Sequence, residues 1–398
     1  MKQMEIYCDN AATTAVDPEV VQAILPYLTS NFGNPSSSHW AGRKVRDAIT
    51  ASRQTVANLL GALPEEIFFM SGATEANNLA LSGAIKAYEI DHVITSKIEH
   101  KAVLQTLNRH EKAGDIEISY VKLDDFGNVD LRHLENLLAS NPQTLVSLMH
   151  GNNEIGNITD IQAVSGLAKK YNAYFHTDTT QTIGKLPINI QDGGIDFLVG
   201  SAHKFHGPKG IGFIYINKKH KLKPIIVGGG QEKGQRGGTE NVIGIVGLAK
   251  ALELAYRKKD IVQNHVGRLK RHFISRLDDL TIGGITFNGE SRSIHKSLNN
   301  IVSVAFPCLS SDNLVNRLDQ LGIAVSGGSA CSNLGSGGSH VISAIYKNPN
   351  KEIVRFSFSQ FNTIEEIDFI VKAIIAIYQS DRLEGEGREG KTVYNLAS

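Results

Sequence analysis

Cysteine is scarce: the 398 residues hold three, Cys8, Cys308 and Cys331. Thiols so few and so scattered cannot form a disulfide framework or a zinc site, so a reducing compartment is expected. An excess of one charge is missing too. Lys and Arg number 41 against 40 Asp and Glu, a formal net charge of +1, which gives no reason to expect a nucleic acid or an acidic membrane as partner. No apolar run reaches transmembrane length, and the opening MKQMEIYCDNAATT has no signal-peptide core, so a cytoplasmic protein is expected. The length suits a large domain plus a smaller one, each with its own core.

What is present concentrates between residues 174 and 212, YFHTDTTQTIGKLPINIQDGGIDFLVGSAHKFHGPKGIG. An apolar run over 173–175 ends in His176 and Asp178, and a second over 195–199 ends in Ser201, His203 and Lys204. Both read as buried parallel strands with polar residues at their C-terminal ends, where open α/β sheets bind ligands. Either an acid or a lysine alone at a strand end is more often a solvated cap. Together they are what a pyridoxal phosphate site requires. The lysine forms the Schiff base, and the acid keeps the pyridinium nitrogen charged so that the ring can take up electrons.

The remaining segments fit an α/β chain. Asp17-Pro18 starts a helix as N-cap and first helical residue, and NFGNPSSSHWAGR reads as a polar loop. Strands are expected at 67–70, 92–96 and 144–149, and a helix at 161–171. The small-residue turn SGAT before an apolar helix is a weak anion-binding signal, since such helix starts are common as simple caps. A helical run over 242–272 leads into a second region, with strands at 300–306 and 353–359 and helices at 311–321 and 364–378. Cys8 and Cys308 lie in apolar contexts and read as small buried hydrophobes. The charged, glycine-containing end, SDRLEGEGREGKTVYNLAS, reads as a loose tail.

These motifs resemble the cysteine desulfurases of the NifS/IscS type, pyridoxal phosphate enzymes of the class V aminotransferase fold, and the matches run from Tyr7 to about residue 367. The resemblance implies an α/β protein of PLP-dependent transferase fold type I. Its large domain, 16–256, would carry a mostly parallel central sheet flanked by helices. A smaller α+β domain would comprise 1–15 and 257–380, and 381–398 a flexible tail. By the same resemblance, Ala73 and Thr74 match the cofactor-phosphate loop, with Ser201 and His203 as side-chain donors. Thr239 matches a donor supplied by the neighbouring subunit, which implies a homodimer. His100 matches the residue that stacks on the pyridine ring and exchanges protons, jobs that suit an imidazole. Asp178 matches the pyridinium partner, Gln181 the donor to the phenolate oxygen, and Lys204 the Schiff-base lysine. Asn34 matches a substrate-loop asparagine, Asn153 a residue near cofactor and substrate carboxylate, and Arg355 the arginine that grips the α-carboxylate. A planar guanidinium fork suits that bidentate contact. The family has DATQ where this chain has DTTQ, so Thr179 is a departure.

Cys331 stands in AVSGGSACSNLGSGGSHVI, too rich in glycine and serine to build a core. Burial, the usual reason for a cysteine, cannot explain it, and the segment resembles the family's SSGSAC. The implied reaction converts L-cysteine to L-alanine. The substrate displaces Lys204 and loses an α-proton, the Cys331 thiolate attacks its sulfur, and a persulfide remains on Cys331. An acceptor protein, such as an iron–sulfur scaffold, would take that sulfur for cluster assembly or tRNA thiolation. A selenocysteine lyase or another class V enzyme, or a scaffold that lost the chemistry, are the alternatives. No metal is called for.

Overall fold

The computed structural model describes residues 5–141, 143–191, 194–310, 312–327, 338–346 and 351–393, with side chains as far as 383. In chain order its elements are β1 (Ile6–Tyr7), α1 (Pro18–Thr29), α2 (Trp40–Leu60), β2 (Ile67–Met70), α3 (Ala73–Tyr88), β3 (His92–Thr95), α4 (Lys101–Ala113), β4 (Glu117–Tyr120), α5 (Leu131–Ser140) and β5 (Thr144–Ser147). Then come α6 (Ile161–Lys170), β6 (Tyr174–Asp178), β7 (Phe197–Ser201), β8 (Gly212–Ile216), α7 (Val242–Arg257), α8 (Lys259–Asp278), β9 (Thr286–Phe287) and β10 (Ile301–Phe306). The last are α9 (Leu314–Gln320), β11 (Ile323–Ala324), α10 (His340–Ile345), β12 (Glu352–Ser357) and α11 (Ile364–Val393). Contacts divide the chain into two compact units, one from 13–152 and 158–259, the other from the residues up to 12, 153–157 and 260 onward.

The larger unit is built on a seven-stranded sheet of order β2-β8-β7-β6-β5-β3-β4, in which β8 alone runs antiparallel to its neighbours. Continuous apolar strands such as FLVGS form because both faces are covered, and side-chain alternation distributes each strand between two cores. Ile94, Val146, Phe175, Leu198 and Phe213 pack on one side. Val93, Leu145, Phe197, Val199 and Ile214 pack on the other, with Leu79 and Leu81 of α3 and Val103 and Leu107 of α4. Asp17 caps α1 as its sequence indicates, its Oδ1 accepting from the Glu19 N–H at 2.9 Å, with Pro18 as first helical residue.

The smaller unit has an antiparallel sheet of order β12-β10-β9 and a parallel pair of β1 and β11. Val302, Val304, Val354 and Phe356 form its core with Phe273 of α8 and Ile370 and Ile374 of α11. Lys270 of α8 is buried among them and donates to Ser293 O, Ser297 Oγ and Leu298 O at 3.0, 2.6 and 3.1 Å. It ties the helix to the segment before β10.

Two expectations are corrected. Cys8 is buried, but Cys308 is exposed, because β10 ends at Phe306, before the thiol is reached. The helical run over 242–272 is two helices, broken at Lys258 where the backbone leaves helical geometry. α11 itself continues as far as Val393.

Candidate active site

The parallel strands bring their polar C-terminal residues to one edge of the sheet. Asp178 closes β6 and is 5% exposed. Its Oδ2 accepts from Asn77 Nδ2 at 2.8 Å and its Oδ1 from the Thr180 N–H at 2.9 Å. Both of these donors are neutral. His176, on the same strand face, bonds through Nδ1 to Ser147 Oγ at 2.9 Å, and burial lowers its pKa to about 4. Glu99, also buried, has its pKa raised to about 8 by burial and, secondarily, by the charge on Asp178. Two neutral donors do not neutralise a buried carboxyl group, and a ring N–H carrying positive charge fits the place beside it.

The start of α3 offers backbone N–H groups of the kind that bind anions. Its N-cap, Gly72, offers no side-chain cap to the first-turn N–H groups, where Ala73 and Thr74 sit. The Ser201 hydroxyl faces this turn, 3.8 Å from where a Cβ on Gly72 would lie. β8 must begin with glycine for this to hold, because a Cβ on Gly212 would come within 2.8 Å of the Gly72 backbone. His203 bonds through Nδ1 to Thr13 Oγ1 at 3.1 Å; burial, then the charges of Lys204 and Lys209, bring its pKa to about 4. It is a neutral donor or acceptor at neutral pH. Lys204 ends the short 3-10 turn that follows β7 and is half-buried. Its charge adds to burial in bringing Lys185 down to about 7. Gln181 is buried in the turn after Asp178.

Residues 6–370 match the family Aminotransferase class-V. The chain belongs to that family, among the cysteine desulfurases of the NifS/IscS type. It is 41% identical over 384 residues to the cysteine desulfurase IscS of Dictyoglomus turgidum, covering 95% of each chain. It is 39% identical over 374 residues to the putative cysteine desulfurase IscS 1 of Bacillus subtilis, covering 93% of this chain and 97% of that one. Among solved structures, a NifS-like protein superposes with a TM-score of 0.86 at 37% identity, over 94% of this chain and all of that one. One described as SspA in complex with cysteine gives 0.77 at 33% identity, over 90% of this chain and 100% of that one. The α/β fold with a mostly parallel sheet is that of the family.

The other residues that the desulfurase resemblance singled out fall as follows. His100 is the N-cap of α4, its Nδ1 accepting from the Ala102 N–H at 3.1 Å. Asn34 is exposed and turns its loop by accepting from the Ser36 N–H at 2.9 Å. Thr239 is exposed and lines a cavity of about 240 Å³ with Ser71, Gly210, Glu232 and Arg236, apart from the contacts of Asp178. In the smaller unit Arg355 is 1% exposed. Its Nη2 pairs with Asp9 Oδ1 and its Nη1 donates to the backbone oxygen of Asn153, each at 2.7 Å, so these two residues meet. Cys331 lies outside the described residues. Thr179, where the family pattern has alanine, is buried and donates its hydroxyl to Val199 O at 2.7 Å, stitching the end of β6 to β7.

Asn77, Glu99 and Asp9 were missed as contributors. For Asn77 a signal existed: it stands four residues after Ala73 and three before Ala80, on the stripe of α3 that the sheet buries. An asparagine there needs a polar partner inside.

Proposed function

We propose that the protein uses pyridoxal phosphate to convert L-cysteine to L-alanine and keeps the sulfur as a persulfide on Cys331. The observation that carries the cofactor assignment is the buried Asp178, held by neutral donors where the family places the partner of the ring nitrogen. When bound, the cofactor supplies an electron sink for the α-carbon of an amino acid. In this reading Ala73, Thr74, Ser201 and His203 hold its phosphate, Gln181 its phenolate oxygen, and Asp178 keeps its nitrogen protonated. Lys204 would be the amine that anchors the cofactor and would serve as a base at the α-carbon. His100 and Asn153 complete the surroundings of cofactor and substrate, and Asn34 the substrate loop.

Arg355 would take the substrate carboxylate. Asp9 and the Asn153 carbonyl hold its guanidinium in one orientation, so little side-chain freedom remains to be lost on binding. The Cys331 thiolate attacks the substrate sulfur. An S–S bond forms, the C–S bond breaks with its electrons going to the β-carbon, and protonation there together with return of a proton to the α-carbon yields alanine. A protein acceptor, such as an iron–sulfur scaffold, then removes the outer sulfur in the cytoplasm.

A homodimer in which Thr239 serves the partner's phosphate site is part of the proposal. It is supported by the outward face of α1, where Val21, Leu25 and Leu28 are exposed at helical spacing while Val20 is buried. We also infer that the two contact units act as a large cofactor domain and a smaller domain bearing the Cys331 segment. The test is mass spectrometry of the protein after a single turnover with L-cysteine. Cys331 should gain one sulfur atom with one equivalent of alanine formed, and alanine without any such gain would refute the persulfide.

A further inference from the structure

We propose that Asn77 is a positioning residue for Asp178: it fixes the carboxylate's rotamer, and so sets how strongly the site holds the protonated ring nitrogen. The inference rests on the pyridoxal phosphate reading given above. Asn77 is completely buried on α3, among Ala76, Leu79, Ala80 and Leu81, which are buried as well. Its Nδ2 donates to Asp178 Oδ2 at 2.8 Å. Its Oδ1 is buried and has no hydrogen-bond partner among the described residues. An amide with half its capacity unmet inside an apolar helix face is a poor choice for packing, where leucine would serve better. The donor to Asp178 is what the position gains from asparagine.

Position on the helix adds a second consequence. Asn77 lies about one turn after Ala73, so the helix whose first turn faces Ser201 also holds the carboxylate at the end of β6. His176 on the same strand is neutral, and Glu99, which follows β3, is protonated below about pH 8, so these two neighbours bring Asp178 no charged partner near neutral pH. A neutral amide donor at hydrogen-bond distance orients the carboxyl group. Thr180 N–H reaches the other oxygen, so Asn77 is the side-chain donor that fixes Oδ2.

The test uses the full chain freed of cofactor and titrated with pyridoxal phosphate, with affinity and visible spectrum read across pH for the wild type, Asn77→Leu and Asn77→Asp. Loss of one charge-assisted hydrogen bond should weaken binding by roughly 10- to 100-fold in Asn77→Leu and shift the pH at which the bound cofactor's visible band titrates. Asn77→Asp has the same shape, and its carboxyl can donate to Asp178 only while protonated. Its affinity relative to wild type should therefore approach one in acid and fall as the pH rises, a dependence that a space-filling role would not produce. Thermal unfolding of the cofactor-free variants checks the fold, and Asn77→Asp carries the test if Asn77→Leu does not fold. Binding within about twofold of wild type at every pH in Asn77→Asp, with an unchanged spectrum, overturns the inference while leaving the cofactor reading in place. A wild type that binds no pyridoxal phosphate overturns both.

Discussion

Replacing Glu232 by alanine should loosen the glycine-rich segment that carries Thr239, and the size of the loss follows from its contacts. Glu232 is buried, with side-chain exposure of 3% against 13% for Arg53, and the two form a bidentate pair with both distances 2.8 Å. Its Oε2 also accepts from the Phe69 N–H of β2 at 2.9 Å. Arg53 donates to Ile67 O at 2.6 Å and lies 4.8 Å from the centroid of the Phe69 ring. Removing one partner of a buried pair costs about 3–5 kcal/mol, because the other charge is left uncompensated. Arg53 retains some access to water, which puts the expected loss near the lower end, about 3 kcal/mol. Glu232 also has a left-handed backbone, φ 45°, which alanine tolerates no better, so the substitution brings no relief of strain. Urea unfolding of the cofactor-free protein is the assay, with Glu232→Ala, Arg53→Met and the double variant. The double variant should lose at least about 1 kcal/mol less than the sum of the singles. Additive losses below about 1 kcal/mol each would refute the claim that this pair anchors the segment to β2.

Arg355→Lys should raise KM for L-cysteine by roughly tenfold or more with a smaller change in kcat, since a point charge cannot replace the fork that bonds Asp9 and Asn153; an unchanged KM would remove Arg355 from substrate binding. Glu99 gives a pH dependence of defined sign. Its pKa is raised in the folded state from the ordinary carboxylate range to about 8, so its contribution to stability is fully present below the unfolded value and is lost as the pH rises through about 8. Glu99→Gln should therefore gain stability relative to wild type from acid to alkaline pH in thermal melts, and a constant difference would contradict the burial argument. Thr179→Ala should cost about 1 kcal/mol through the lost bond to Val199 O and leave turnover unchanged; a fall in kcat would assign the hydroxyl a role in the site.

Legibility followed burial and sequence distance. β6 and β7 could be read directly because strands covered on both faces must be apolar throughout, which makes the polar residues at their ends conspicuous. Asp17-Pro18 was equally plain, as capping is decided by adjacent residues. Asn77 was not: its partner is 101 residues away, and an asparagine in a helix gives no local sign of what it bonds. Glu232 was hidden for a similar reason, since glycines around it marked a loop while the arginine that fixes it lies on α2. Cys308 was misread because an apolar run shows that a strand is near but not where it stops. Arg355 was placed on its strand from sequence, yet its pairing with Asp9 joins the two ends of the chain and needed the fold.

The central claim is tested most directly by alanine formation from L-cysteine with dithiothreitol present, comparing wild type with Cys331→Ala and recording both visible spectra. The account predicts two yellow proteins that bind the cofactor alike, with alanine and sulfide released by the wild type and turnover lost in the variant. A yellow Cys331→Ala protein that still makes alanine at the wild-type rate would contradict it, for the sulfur would then leave without a protein thiol to carry it.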